Sequence, residues 1–200
     1  MEDYTLNFFD IKLVPEYCDM AKNGAVVVFD TETTGLEDYD DVVQIASIVM
    51  VDGKEVYSEA VYLKNQVPIN GTEAQKVNGI TDELLAEKGI DAKKALWMFL
   101  DRLEFWNAEK GKVLLVAHNL SFDYRMISNM LNRYGLPPIP DFVLGCCTRD
   151  FVKALNVPKD ILPNNRLCTC IDKLNLNGEN RHDAWWDAKA CMELFKFLTN

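Results

Sequence analysis

The run Ala25-Val26-Val27-Val28-Phe29 constrains this chain more than any other stretch, because it is apolar at every position. A strand wetted on one face alternates polar and apolar residues. A short run with no alternation reads as a strand covered on both faces, the middle of a sheet with helices above and below. The run ends abruptly in Asp30-Thr31-Glu32 and then Thr33-Thr34-Gly35-Leu36. In extended backbone, residues two apart project to the same side, so both carboxylates can face one point in space. Two like charges held together raise each other's pKa unless a cation sits between them. Oxygen ligands of this kind suit Mg²⁺ or Mn²⁺. Taken alone, the pair is also what a solvated strand end carries.

Further along, two β-rich runs at 42–51 and 56–63 flank Asp52-Gly53, a strong hairpin signal. Residues 91–108 repeat apolar side chains at helical spacing, with Ala95, Phe99 and Leu103 on one side. A second buried strand is expected at 113–117. A helix is expected at 126–134, stopped by Gly135 and Pro137-Pro138. A short strand at 142–144 and short helices at 148–155 and 167–174 follow. A last helix starts near Asp183, an N-cap residue type, and runs to about residue 198. This order predicts an α/β domain: a mixed sheet, antiparallel hairpin plus parallel strands, flanked by helices.

The 200 residues suit one domain, expected at 23–200, with residues 1–22 as an N-terminal extension. Phe8, Phe9, Ile11 and Leu13 suggest that the extension docks on the domain. No apolar run approaches the roughly 20 residues that span a bilayer. The acidic N-terminus lacks the order of a signal peptide. A cytoplasmic protein with no membrane partner is therefore expected. The six cysteines include neighbours Cys146-Cys147 and the pair Cys168 and Cys170, neither at zinc-ligand spacing. They read as small apolar fillers.

The net charge is −10, and its distribution is uneven. Residues 1–60 hold three basic and fourteen acidic side chains, while 61–200 hold eighteen and seventeen. An acidic total argues against tight, sequence-independent duplex binding driven by phosphate neutralisation. A nucleic-acid enzyme whose metal ions bring the positive charge remains open.

Three more positions matter. Asp123 follows "AHNLSF", at the join between a buried strand and a helix, where sites form in α/β sheets; by itself it suits a helix N-cap. His182 and Asp187 stand at the start of the last helix, the histidine ahead of the first turn and the aspartate one turn in. Alone, His182 would be a surface or capping residue. His118, the other histidine, ends an apolar strand and reads as satisfied and partly buried.

Together, Asp-x-Glu ending a strand, Asn-x-x-Phe-Asp opening a helix and His-x-x-x-x-Asp opening the last helix resemble the DEDD exonuclease superfamily. The histidine-bearing subgroup fits, which includes the epsilon proofreading subunit of bacterial replicases and ribonuclease T. "FDTETTGL", "AHNLSFD" and "HDAWWD" look like its three motifs, and "VNGITDELL" looks like the segment between the first two. The resemblance spans residues 26–197. The sister subgroup carries tyrosine four residues before the last aspartate, and that position here is Asp183. Gln44 stands where the family often has glutamate, and Trp185-Trp186 are bulkier than the family pattern. For these tryptophans, packing and base stacking are the two readings.

The resemblance implies a ribonuclease H-like fold and hydrolysis of a phosphodiester at a 3′ end with two Mg²⁺ or Mn²⁺ ions. Asp30 would bridge both ions, Glu32 and Asp187 would complete the first site, and Asp123 would hold the second. Such ions activate water, clamp the phosphate and stabilise the leaving oxygen. His182 would act as general base. Imidazoles titrate near neutrality, so activity is expected to rise between about pH 6 and 8. Thr33, Gly35 and Leu36 resemble the part that seats the terminal nucleotide, with Leu36 as a wedge between bases. Ile80 and Phe122 are apolar and Asn119 a polar candidate contact; for the first two, core packing is an equal reading. Arg149, Lys153, Arg166 and Arg181 are candidate guides for the strand.

The expected substrate is the 3′ end of single-stranded DNA. RNA or oligoribonucleotides are the enzyme alternative, and an inactive adaptor module is the alternative of another class. If the protein proofreads, a polymerase subunit is expected as a partner in trans.

Overall fold

The computed structural model describes residues 14–176 and 182–200. The order is α1 Val14–Asn23, β1 Ala25–Thr33, β2 Val42–Val51, β3 Lys54–Tyr62, α2 Glu73–Asn78, α3 Asp82–Lys88 and α4 Ala92–Lys110. There follow β4 Val113–Ala117, α5 Leu120–Arg133, β5 Val143–Cys147, α6 Thr148–Ala154, α7 Leu167–Leu174 and α8 Ala184–Thr199. The five strands form one mixed sheet in the order β3-β2-β1-β4-β5. The β1–β2 and β2–β3 pairs are antiparallel, and β1–β4 and β4–β5 are parallel. This is the ribonuclease H-like mixed sheet that the motifs implied.

The apolar run of β1 lies at the centre of that sheet, and residues 25 to 29 have no exposed surface. Alternate side chains serve two cores. Val27 and Phe29 face α4 and α5, in a cluster with Leu96, Phe99, Leu103, Met126 and Met130. Val26 and Val28 face the other way, against Tyr17 of α1 and Ala184, Ala188, Met192 and Phe195 of α8. Continuing the alternation puts Asp30 and Glu32 on the α8 side, and Thr31 and Thr33 on the α5 side.

The hairpin turns at Asp52-Gly53, where φ is 49° and 76°. Two consecutive left-handed residues are what a tight two-residue turn between twisted strands requires. β1 outruns its parallel neighbour: the pairing with β4 stops at Val28↔Val116, whereas pairing with β2 continues to Thr33. The last residues of β1 therefore have a free side where β1 and β4 separate, the usual place for a site in such sheets. The β1–β2 register slips between Glu32 and Thr33, a bulge of the kind that redirects side chains beside sites.

Several expectations shift here. The 126–134 helix begins at Leu120, six residues earlier, because "NLSFD" lacks a strong apolar period yet opens the helix. The strand expected at 142–144 runs Val143–Cys147. Helices α2 and α3 were not foreseen; both are short, and each is capped by a threonine, Thr72 and Thr81. Phe8, Phe9, Ile11 and Leu13 lie outside the described residues. Within the region expected as an extension, α1 is packed into the fold: Tyr17 is wholly buried, and its hydroxyl donates to the Gly145 carbonyl at 2.9 Å. Four of the six cysteines are buried and none is paired. Among the described residues, no helix is long and apolar enough to cross a membrane.

The Tyr17 contact makes α1 part of the domain energetically. Tyr17→Phe should cost about 1 kcal/mol, the worth of one hydrogen bond. Tyr17→Ala should cost about 3–5 kcal/mol, the usual loss for emptying a buried aromatic position. Urea unfolding measures both; equal, near-zero effects would mean that α1 is not docked as described.

Candidate active site

Three separate elements supply the acids. Asp30 and Glu32 come from the rigid end of β1, and Asp187 from the first turn of α8. A carboxylate oxygen from each of these three lies within 4.8 Å of the others. Asp123 enters from the opposite layer. It sits in the first turn of α5, buried at 3% exposure, and approaches through the gap where β4 leaves β1. Its Oδ1 accepts from the Thr31 backbone N–H at 3.1 Å and from Thr31 Oγ1 at 2.7 Å. The N–H beyond the end of the β1–β4 ladder is thus satisfied by a side chain instead of a strand. Asp123 is not the N-cap that its position suggested; Asn119 occupies that place, with no side-chain cap bond.

The electrostatics are those of a self-repelling cluster. Burial pushes the Asp30 carboxyl well above the usual range, and Asp123, Asp187, Glu32 and Asp183 push it further. Burial, then Asp187, raises Glu32 to about 8, although the Asn78 amide donates to it and opposes the shift. Burial also raises Asp123 to about 7 against the lowering effect of the Thr31 hydrogen bonds. Four carboxylates thus act on one another in one pocket, and two of them stand in the first turns of helices, where exposed N–H groups favour negative charge. An all-oxygen, partly buried, mutually repelling set fits small hard divalent cations.

His182 is exposed at the rim, with φ of 69°, and its backbone N–H donates to Asp187 Oδ2 at 3.2 Å. A non-glycine residue in the left-handed region is uncommon, and such residues cluster at sites. His118 behaves as expected: it is buried, and Nδ1 and Nε2 lie 3.0 Å from Thr148 Oγ1 and 2.8 Å from the Asn165 carbonyl. The carbonyl can only accept, so Nε2 carries the proton. Burial lowers this imidazole to about 4 and keeps it neutral.

The expected substrate contacts divide. Leu36 is 72% exposed at the tip of the loop after β1. That loop is tightly held: the Asp40 carboxylate accepts from Thr34 Oγ1 and from the Glu37 N–H. Arg125 donates to the Leu36 carbonyl and pairs with Asp38. Arg133 donates to the carbonyls of Tyr39 and Asp40. Gly35 leaves no room for a side chain, since a Cβ there would lie 2.3 Å from Asp40 Oδ2. Thr33 is buried, and its hydroxyl donates to the Gly35 carbonyl at 2.6 Å. Asn119 carries a buried Oδ1 with no hydrogen-bond partner. Phe122 is half-buried against the first core, with Arg125 over its ring. Ile80 is buried at 3% among Val43, Ile69 and Leu85, the packing alternative of its two readings. Trp185 packs into the α8 core and meets Trp186 edge to face. Arg149 and Lys153 lie on α6 and Arg166 caps α7; Arg181 falls outside the described residues.

Sequence reasoning missed Asn78, Arg125, Arg133 and Asp183 as parts of the site. Their contacts are tertiary, and no local pattern announces them. Asp183 was foreseen only as a cap.

A protein-family model described as Exonuclease, RNase_T, matches residues 27–195. The DNA polymerase III PolC-type of Listeria welshimeri is 32% identical over 167 residues, which are 82% of this chain and 10% of that protein. The chain thus spans about a tenth of the curated relatives it matches. Among solved structures, exonuclease X in complex with 5′-overhanging duplex DNA matches with a TM-score of 0.62 and 25% identity, covering 88% of this chain and 91% of that one. The nuclease domain of 3′hExo, a DEDDh family member bound to rAMP, matches with a TM-score of 0.70 and 14% identity, covering 88% and 92%. The last is a likeness of fold.

The raised carboxyls make a prediction about stability. Their pKa values are higher folded than unfolded, so the stabilisation is present at low pH and is lost as pH rises through about 7 to 8. His118 works in the opposite direction, but only below its unfolded value near 6.5. In EDTA, stability should therefore fall between pH 6.5 and 8.5, by on the order of 1–2 kcal/mol. Millimolar Mn²⁺ should restore more at pH 8.5 than at 6.5. Thermal melts at the two pH values check this; a metal-free melt that rises with pH over that window contradicts it.

Proposed function

The chain belongs to the exonuclease family; from that premise we propose that it is a DEDDh-type exonuclease that removes nucleotides from the 3′ end of single-stranded DNA by metal-dependent phosphodiester hydrolysis. The observation that carries this reading is the convergence of Asp30, Glu32 and Asp187 within 4.8 Å, with Asp123 acting on the same pocket. Asp30, Glu32 and Asp187 would hold one divalent cation, and Asp30 with Asp123 a second, Mg²⁺ or Mn²⁺ in each case. Bound there, the ions supply a lowered pKa for water and positive charge for the phosphate and the leaving oxygen.

The chain's own residues do the rest. β1 holds Asp30 and Glu32 on one face of a strand buried to its end, so their spacing does not depend on a loop. Thr31 locks Asp123 through two hydrogen bonds to one oxygen and leaves Oδ2 directed elsewhere. His182 stands at the rim next to Asp187, where its ring can take a proton from an incoming water and release it to solvent. The braced loop presents Leu36 as a fixed apolar edge against the terminal base, an interaction tolerant of base identity. Thr33, Gly35, Asn119 and Phe122 line the approach, and Ile80 supports it from beneath.

DNA is favoured over RNA by the relatives, which are named as DNA polymerases, and by the likeness to a nuclease solved with DNA. A polymerase held in trans is the partner that proofreading would require, and the cytoplasm is the compartment that this substrate implies. The complete acid set argues against an inactive adaptor.

The test uses single-stranded DNA and RNA of one sequence, labelled at either end, with Mg²⁺, Mn²⁺ or EDTA. DNA should be shortened stepwise from the 3′ end, faster than RNA, and EDTA should abolish the reaction. Faster loss of RNA would reassign the sugar, and no shortening of either would sink the reading. Asp30→Asn and Asp187→Asn should each lower kcat by at least about a hundredfold, since several kcal/mol of charge stabilisation is removed. His182→Ala should lower kcat by about 10²–10⁴-fold. A parent-like kcat in that variant would remove His182 from the role of base.

A further inference from the structure

Gln44 is buried at 2% exposure near the start of β2. It is in register with Glu32 of β1 on one side and with Tyr62 of β3 on the other. Residues paired across neighbouring strands share a face, so this row lies under the start of α8. The Gln44 amide touches that start twice. Its Nε2 donates to Asp183 Oδ2 at 3.2 Å, and its Oε1 accepts from the Ala184 N–H at 3.1 Å. Asp183 caps the helix with its other oxygen, Oδ1, which accepts from the N–H groups of Trp185 at 3.1 Å and Trp186 at 3.4 Å. The two residues that flank this junction in the chain's chemistry are His182, one position before Asp183, and Asp187, one turn after it.

We propose that Gln44 is a positioning residue of the hydrolytic site: its carboxamide clamps the first turn of α8 to β2 and thereby sets Asp187 and His182 against Asp30 and Glu32. The proposal rests on the exonuclease reading of the acid cluster. One cross-strand pair then fixes both halves of the site, since Glu32 and its partner Gln44 occupy a single step of the β1–β2 ladder. The job requires one donor and one acceptor on a rigid plane. A glutamate could still accept from Ala184, but it would present a second carboxylate to Asp183 at hydrogen-bond distance. An apolar residue would leave both the Ala184 N–H and Asp183 Oδ2 without this partner, in a buried place where each such loss is costly.

The pair can be exchanged. Gln44→Glu and Asp183→Asn each break the donor–acceptor match, the first by facing acceptor with acceptor, the second by facing donor with donor. Together they restore it: the new amide at 183 donates to the new carboxylate at 44, which also accepts from Ala184, and the amide oxygen keeps the cap. Each single variant should lose roughly 10- to 100-fold in Mn²⁺ affinity and in kcat, the usual range for residues that orient ligands. KM for a 3′-labelled oligonucleotide should move less, because the clamp does not touch substrate. The double variant should recover most of both losses. Charge alone predicts opposite signs for the two single changes, since one adds and the other removes a negative charge near the cluster; the clamp predicts loss in both.

Mn²⁺ affinity is read by calorimetry and folding by circular dichroism, so neither depends on turnover. If a single variant fails to fold, Gln44→Met removes both bonds at similar volume and should show the same losses with the fold kept. Additive losses in the double variant, or unchanged Mn²⁺ binding and kcat in the folded single variants, would overturn the proposal. If the parent cleaves no nucleic acid, the exonuclease reading fails, and Mn²⁺ binding across the four proteins decides the clamp by itself.

Discussion

Four carboxylates held in one partly buried pocket repel one another, and the rest of the fold is arranged around holding them there. Burial and mutual repulsion raise Asp30, Glu32 and Asp123 together. A protein at equilibrium relieves such repulsion by moving the groups apart or by protonating them. Here movement is blocked at each origin. Asp30 and Glu32 extend from a strand that has no exposed surface through Phe29. Asp123 is tied by Thr31, and Asp187 rises from a helix whose first turn is bound to β2. Protonation or a cation is left as the means of relief, and a site meant for cations is the economical explanation.

The topology explains how acids so far apart in sequence meet. The central strand separates two layers, and its alternation sends Asp30 and Glu32 toward α8 and Thr31 toward α5. Asp123 starts in the α5 layer and could not reach the pocket if β4 ran as far as β1. Because the β1–β4 pairing ends at Val28↔Val116, a gap opens at the carboxyl ends of the two strands. Asp123 passes through it and takes over the N–H of Thr31. The difference in strand length is thus a condition for the site as much as the acids are.

Much of this was legible in the sequence, for physical reasons that differ by element. β1 was readable because its first five residues are apolar without alternation, as a strand covered on both faces favours. The hairpin was readable because Asp52-Gly53 is one of few pairs that accept two left-handed residues in succession. The acids were legible as a set through motif order, while singly each had an ordinary explanation. α2 and α3 were not seen, since at six and seven residues they carry too few turns for periodicity. The start of α5 was not seen, because Ser121, Asp123 and Tyr124 interrupt its apolar pattern. Arg125 and Arg133 could be placed on a helix, but the carbonyls they reach, 89 and 94 residues away, depend on how α5 lies against the loop after β1.

Gln44 shows why a departure from a family pattern can be informative. From sequence it was an amide where an acid often stands, which looked like a missing charge. In the structure its neighbour is Asp183, itself close enough to Asp30 and Glu32 to raise both. Another carboxylate would add to a repulsion already shared by five acids. A neutral side chain with a donor relieves it at Asp183, and its acceptor serves the Ala184 N–H in the same stroke. The choice of amide over acid at position 44 is therefore coupled to the choice of aspartate over a neutral cap at position 183. The two positions are 139 apart in the chain, and the donor at one meets the acceptor at the other.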